Sequence, residues 1–141
     1  MPGCVLRVSG STSKVREFLS ESRLKPIKVY FKGEPGFPKS RGPSRVSGFN
    51  ILVTGHRVGA LITKQCRSAV SFIKRHRKEF ERLKAHGFSS PTLDFWLNDE
   101  ATEKHPWPTY SLSQELVALA GLYNLSIELS FYGKAISKKH R

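Results

Sequence analysis

The sequence predicts an α+β fold in which helices cover one face of a mainly antiparallel five-stranded sheet. Three observations predict it. Five short segments alternate apolar and other side chains with the period of a half-buried strand. Three further segments place apolar residues at the 3.6-residue period of a helix. Their order is strand, helix, strand, strand, helix, strand, helix, strand, and its first six elements follow the ferredoxin-like, or split βαβ, arrangement. Three helices on one face of an open-faced sandwich are therefore expected. A length of 141 residues suits a single domain, assigned to 1–133, with a basic flexible tail at 134–141.

Each element has its own signal. Cys4–Val8 turns Cys4, Leu6 and Val8 to one side. Ser13–Ser22 is a short helix striped by Val15, Phe18 and Leu19. The second strand, Ile27–Phe31, sends Ile27, Val29 and Phe31 inward. The third, Phe49–Val53, does the same with Phe49, Ile51 and Val53. Leu61–His86 reads as one long helix, apolar at Ile62, Cys66, Ala69, Val70, Ile73, Phe80 and Leu83, and Gly87 stops it. Leu93–Leu97 alternates Leu93, Phe95 and Leu97. Ser111 and Gln114 form a capping-box pattern ahead of a helix through Leu116, Val117, Leu119, Ala120 and Leu122. Ile127–Phe131 closes the set with Ile127, Leu129 and Phe131. A strand buried on both faces would be continuously apolar, so all five are covered on one side only.

Composition bounds the function. Lys+Arg number 24 against 11 Asp+Glu, a formal net charge of +13 and a pI near 10.2. Hydrophobic residues make up 38% and aromatics 11%, too much for a disordered basic tail. No apolar run approaches the ~18 residues of a membrane span, and MPGCVLRVSG lacks the apolar stretch of a secretory signal. Cys4 and Cys66 are too few for a disulfide framework, so a reducing cytoplasm is the expected setting. The charge is uneven. Residues 1–86 carry 19 basic and 5 acidic side chains, residues 87–132 one basic and six acidic, and residues 133–141 four basic ones. Such asymmetry suggests an electropositive surface facing an anionic partner, and it equally suits basic residues that only keep a monomer in solution.

Two places concentrate the cations. The stretch 32–48, KGEPGFPKSRGPSRVSG, holds Lys32, Lys39, Arg41 and Arg45 among three prolines and four glycines, and reads as an exposed basic loop. The outer side of the long helix carries Lys64, Arg67, Arg75, Lys78 and Arg82. Together they offer phosphate contacts that would be salt-dependent and blind to base sequence. The open sheet face carries Arg7, Lys28, Tyr30, Asn50, Asp94, Trp96, Glu128 and Ser130, with Tyr132 just beyond. Cations interleaved with aromatics suit unpaired bases, and they equally suit a second copy or another protein. The residues leave both open.

Motifs of catalysis are weak. Gly33–Ser40, GEPGFPKS, approaches a P-loop, but Pro38 stands where the second glycine must cradle phosphate. His56, His76, His86, His105 and His140 lack zinc-site spacing. Asp94, Asp99, Glu100 and Glu103 read as a strand residue and a solvated acidic loop rather than a two-metal site. The expectation is a protein that is not an enzyme, with no cofactor and no metal.

Taken together, SGFNILV, FIKRHRKEFERL, TLDFWL and ELVALAGLYNLSIELSFY, with FLSESRLKPIKVYFKGEP upstream, resemble domain-of-unknown-function family 4279, small bacterial proteins, across residues 4–132. The resemblance implies a stand-alone cytosolic domain without an assigned activity and contributes no catalytic residue. The expected function is a binding module for an anionic partner, most simply nucleic acid. The alternative is an immunity or regulatory module that binds an acidic protein or forms a homodimer through the open sheet.

Overall fold

Alternation along GCVLRVSG builds β1 (Gly3–Gly10), and its fully buried Cys4, Leu6 and Val8 place it at the sheet centre. The computed structural model describes residues 3–35, 42–55, 61–97 and 109–131. In chain order the elements are β1, α1 (Thr12–Glu21), β2 (Lys28–Tyr30), β3 (Ser47–Thr54), α2 (Ile62–Arg75), α3 (Arg77–Ala85), β4 (Thr92–Leu97), α4 (Gln114–Leu122) and β5 (Ser126–Phe131). The sheet order is β2-β3-β1-β4-β5. The three pairings among β2, β3, β1 and β4 are antiparallel, while β5 runs parallel to β4. Among the described residues the result is an α+β fold with a five-stranded mixed sheet and four helices. Among the described residues no helix is long and apolar enough to cross a membrane.

Two corrections follow from this architecture. The crossover through α4 returns the chain to the same end of the sheet, so β5 must enter parallel; an antiparallel neighbour would need only a hairpin. The predicted helix over 61–86 is two helices broken at His76 (φ −110°, ψ 32°). Between Ile73 and Phe80 the sequence KRHRKE offers no apolar anchor, and the Phe72 ring lies against both His76 (centroids 4.5 Å apart) and Phe80 (6.2 Å). The bend lets Phe80 reach Tyr123, with rings 5.8 Å apart.

The core lies on the helix-covered face. Phe18 of α1 stacks on Phe49 of β3 at 5.2 Å, and Phe88 meets both rings edge-on. Leu6, Ile51, Leu93 and Phe95 meet Cys66, Ala69 and Ile73 of α2 in the same buried cluster. Aromatic burial on this scale is a major stabilising term, since each ring removes roughly 150–250 Å² from water. Ser11 caps α1 by accepting the Lys14 N–H.

The sheet edges depart from the expected pattern. Of the second strand only Lys28–Tyr30 pairs, and Ile27 is 59% exposed while Val29 is also open to solvent. Phe31 alone packs against the core, under the Arg16 guanidinium. At the other edge Ile127 and Leu129 are half-buried and Phe131 is 54% exposed. Helices cover the central strands, and the pattern of a two-sided strand persists at edges where that cover runs out. The cap of α4 is Ser113, which accepts the Leu116 N–H at 3.2 Å, rather than Ser111.

The basic loop is more ordered at its base than its prolines and glycines imply. Gly33 N–H donates to Ser44 O, Ser44 N–H donates to Glu34 O, and Pro35 bridges Pro43. The β2–β3 hairpin thus continues past its last strand residue.

Candidate functional site

The break at His76 opens onto a strongly charged concavity. Arg23, Lys74, Arg75, Arg77, Lys78 and Arg82 line a space of about 520 Å³, together with His76 and Glu79. Three elements deliver these groups. Arg23 comes from the connection after α1, Lys74 and Arg75 from the last turn of α2, and Arg77, Lys78, Glu79 and Arg82 from α3, with His76 at the break between the two helices. Placing cations at the end of α2 also complements its macrodipole.

Some of the cations are neutralised and some are not. Lys74 pairs with Glu115 of α4, and Arg77 pairs with Glu81 one turn on. Arg82 donates to the Glu21 carbonyl at 2.7 Å, tying α3 to the end of α1, and lies 3.6 Å from Glu79. Among the described residues Arg23, Arg75 and Lys78 have no carboxylate partner. Three unpaired cations around one hollow repel one another, and an anion there relieves that repulsion.

Adjacent along α2 lies a groove of about 530 Å³, walled by Thr63, Cys66, Arg67, Val70 and Lys74 and closed by Ser113 of α4. Lys74 belongs to both spaces. Cys66 accepts a hydrogen bond from the Ser113 backbone, yet burial dominates and pushes its thiol pKa up. A protonated buried thiol is a packing group and not a nucleophile. Cys4 is likewise raised, by burial first and then by the Asp94 charge.

The expected binding residues therefore separate. Arg75, Lys78 and Arg82 meet at the α2–α3 junction. Lys64 and Arg67 lie exposed on the first turns of α2, and Arg67 lines the groove beside the junction. Lys32 and Arg45 are exposed near the β2–β3 edge, and among the described residues no hydrogen bond or ion pair links either to α2 or α3. Lys39, Arg41 and Tyr132 lie outside the described residues. Sequence reading missed Arg23, Lys74, His76 and Arg77 as members of the site. The run KRHRK at 74–78 was the available signal for three of them, but a straight helix would have pointed those side chains in different directions.

The open sheet face holds a different arrangement. Asp94, only 5% exposed, accepts hydrogen bonds from Trp96 Nε1 at 3.0 Å and Ser130 Oγ at 2.6 Å. Arg7 lies 3.6 Å from Asp94 and bonds directly to Glu128, its carboxylate neighbour across the β4–β5 register. Two carboxylates thus share one guanidinium. Lys28 sits 5.9 Å from the Tyr30 ring, and Tyr30 lies over Gly48 so closely that a Cβ there would come within 2.4 Å of its hydroxyl. Burial raises the Tyr30 pKa, with Arg7 opposing. Arg7, one of the two cations expected on that face, is therefore engaged by carboxylates of the sheet itself. Among the described residues no group of His, Cys, Asp and Glu could hold a metal ion.

Comparison with known proteins adds no constraint: no family model matches the chain, and searches of curated proteins and of solved structures return no match.

Proposed function

We propose that the protein is a non-enzymatic binding module for an anionic partner, nucleic acid being the simplest, built on a ferredoxin-like scaffold akin to family 4279. The observation that supports this reading is the α2–α3 junction, where Arg23, Arg75 and Lys78 line a hollow and have no carboxylate partner among the described residues. The track along α2 extends it. Arg67 and Lys74 stand two helical turns apart, roughly 11 Å, a reach that suits phosphates of a flexible strand, and Lys78 follows across the break on α3.

The test is binding to random single-stranded oligonucleotides across a salt series. Affinity falling steeply and log-linearly with salt supports the reading, because each neutralised phosphate releases counterions. No binding at about 50 mM salt, where such contacts are strongest, rejects it. A protein-interaction module is the second reading. Val5 and Leu52 pair across the β1–β3 register on the open face, and Leu52 is 44% exposed. Concentration-dependent dimerisation in sedimentation, removed by Leu52→Glu, would favour it over nucleic acid.

A further inference from the structure

Among the cations of the junction stands one acid that the binding of a plain anion leaves unexplained. Glu79 lines the concavity, is 5% exposed, and its Oε2 has no hydrogen-bond partner among the described residues. Its Oε1 faces Arg82 Nη1 at 3.6 Å, too long for a hydrogen bond. A glutamate at the third position of a helix ordinarily reaches back to the N–H of the capping residue. Here that N–H, on His76, already donates to Phe72 O at 3.0 Å, because α2 runs directly into α3. The break that gathers the cations thus also strands the carboxylate. A buried acceptor without a donor is costly, and the terminal torsion of a glutamate is broad, so the carboxylate can turn an oxygen toward the space it lines.

The ligand that fits must do two things at once. It must offer negative oxygens to Arg23, Arg75 and Lys78, and a proton to Glu79. Sulfate and a phosphodiester satisfy the cations but carry no proton, so the carboxylate repels them. Hydrogen phosphate and a phosphate monoester carry both, and a P–O–H donating to a carboxylate is among the stronger hydrogen bonds. The space exceeds one phosphate and has the size of pockets that hold a whole nucleotide, typically about 300–1,000 Å³.

We propose that the α2–α3 concavity is a seat for a protonated phosphate group, the terminal phosphate of a nucleic-acid strand, with Arg23, Arg75 and Lys78 on its ionised oxygens and Glu79 accepting from its P–O–H. Arg82, held by Glu21, positions Glu79. The strand as the source of the phosphate rests on the proposed function; the preference for a protonated group does not.

The experiment has two arms, both on the full chain at about pH 6, near the second pKa of a phosphate monoester. In the first, calorimetric titrations with orthophosphate and with sulfate are compared at equal ionic strength. Wild type is expected to bind phosphate about tenfold more tightly, the value of one charge-assisted hydrogen bond. Glu79→Gln, whose amide donates instead of only accepting, is expected to abolish or reverse that preference. Arg75→Ala with Lys78→Ala, both on the surface, is expected to weaken both anions. Sulfate bound as tightly as phosphate by wild type overturns the proposal, and so does a Glu79→Gln protein, folded by circular dichroism, that keeps the preference. In the second arm, 5′-phosphorylated and 5′-hydroxyl oligonucleotides of one sequence are compared. Tighter binding of the phosphorylated strand supports the proposal. Equal, salt-dependent binding of both overturns the strand end while leaving nucleic-acid binding intact. Phosphate selectivity without binding of either strand overturns the strand end and the proposed function together.

Discussion

The two charged regions of this molecule use the same residue types to opposite ends. On the open sheet, Arg7 faces two carboxylates, and both oxygens of Asp94 accept hydrogen bonds, one from Trp96 and one from Ser130. At the α2–α3 junction, cations outnumber carboxylates, three of them lack a partner among the described residues, and the nearest acid has an oxygen with no donor. The difference teaches that a cation count locates neither site. What distinguishes a structural cluster from a receptive one is whether its polar groups are already paired, since paired groups gain little from a newcomer and unpaired ones gain much.

The comparison can be broken most forcibly at its structural end. Asp94→Ala takes the acceptor from Trp96 Nε1 and Ser130 Oγ and leaves Arg7 to Glu128 alone, and is expected to cost about 3 kcal/mol in chemical denaturation. It should leave oligonucleotide affinity unchanged or slightly raised. A loss of affinity without a loss of stability would reverse the two roles. Gly48→Ala comes next. Its Cβ would stand 2.4 Å from both Val8 O and the Tyr30 hydroxyl, and overpacking of that kind costs about 1–3 kcal/mol. The expected readout is a lower denaturation midpoint with binding unchanged.

A third measurement probes the interior beneath the sheet. Cys4 and Cys66 have pKa values raised above the ordinary thiol value of 9.0. The folded state therefore keeps protons that the unfolded chain releases, and the stability this provides is complete below pH 9.0 and lost as pH rises through the folded values. The denaturation midpoint should decline above that point, and less so in Cys4→Ala when compared with its own value at neutral pH. An equal decline in both proteins would remove the thiol from the account.

The smallest effect sharpens the comparison from the receptive side. Glu115→Gln frees Lys74, which borders both the junction and the neighbouring groove. Both partners are largely exposed, so stability should change by less than about 1 kcal/mol. Oligonucleotide affinity at low salt should rise about two- to threefold, as one more cation becomes available. Fluorescence anisotropy is sensitive enough to resolve it.

Much of the fold was legible in the chain because burial writes its period directly. Cys4-Leu6-Val8, Phe49-Ile51-Val53 and Leu93-Phe95-Leu97 read as inward-facing rows and are buried as such. Legibility failed where a tertiary fact decides. Ile27 and Phe131 alternate like core residues, yet strand order puts them at edges without helix cover. The direction of β5 depends on how α4 returns the chain. The break at His76 has neither proline nor glycine to announce it. That single bend also hid the site, because a continuous helix shows only the shared stripe of Arg75, Lys78 and Arg82, and nothing in its period brings Arg23, Lys74, Arg77 and Glu79 to them. The cationic residues were visible; their convergence was not.

The central claim, that receptive charge lies at the junction and satisfied charge on the sheet, has one most direct measurement. Oligonucleotide affinity is compared across salt for Arg23→Ala/Arg75→Ala/Lys78→Ala and for Arg7→Ala/Lys28→Ala. The account predicts that the first protein loses affinity by about a hundredfold at low salt and has a salt slope shallower by roughly two to three contacts, while the second matches wild type. A junction variant that binds like wild type, beside a sheet variant that does not, would contradict it.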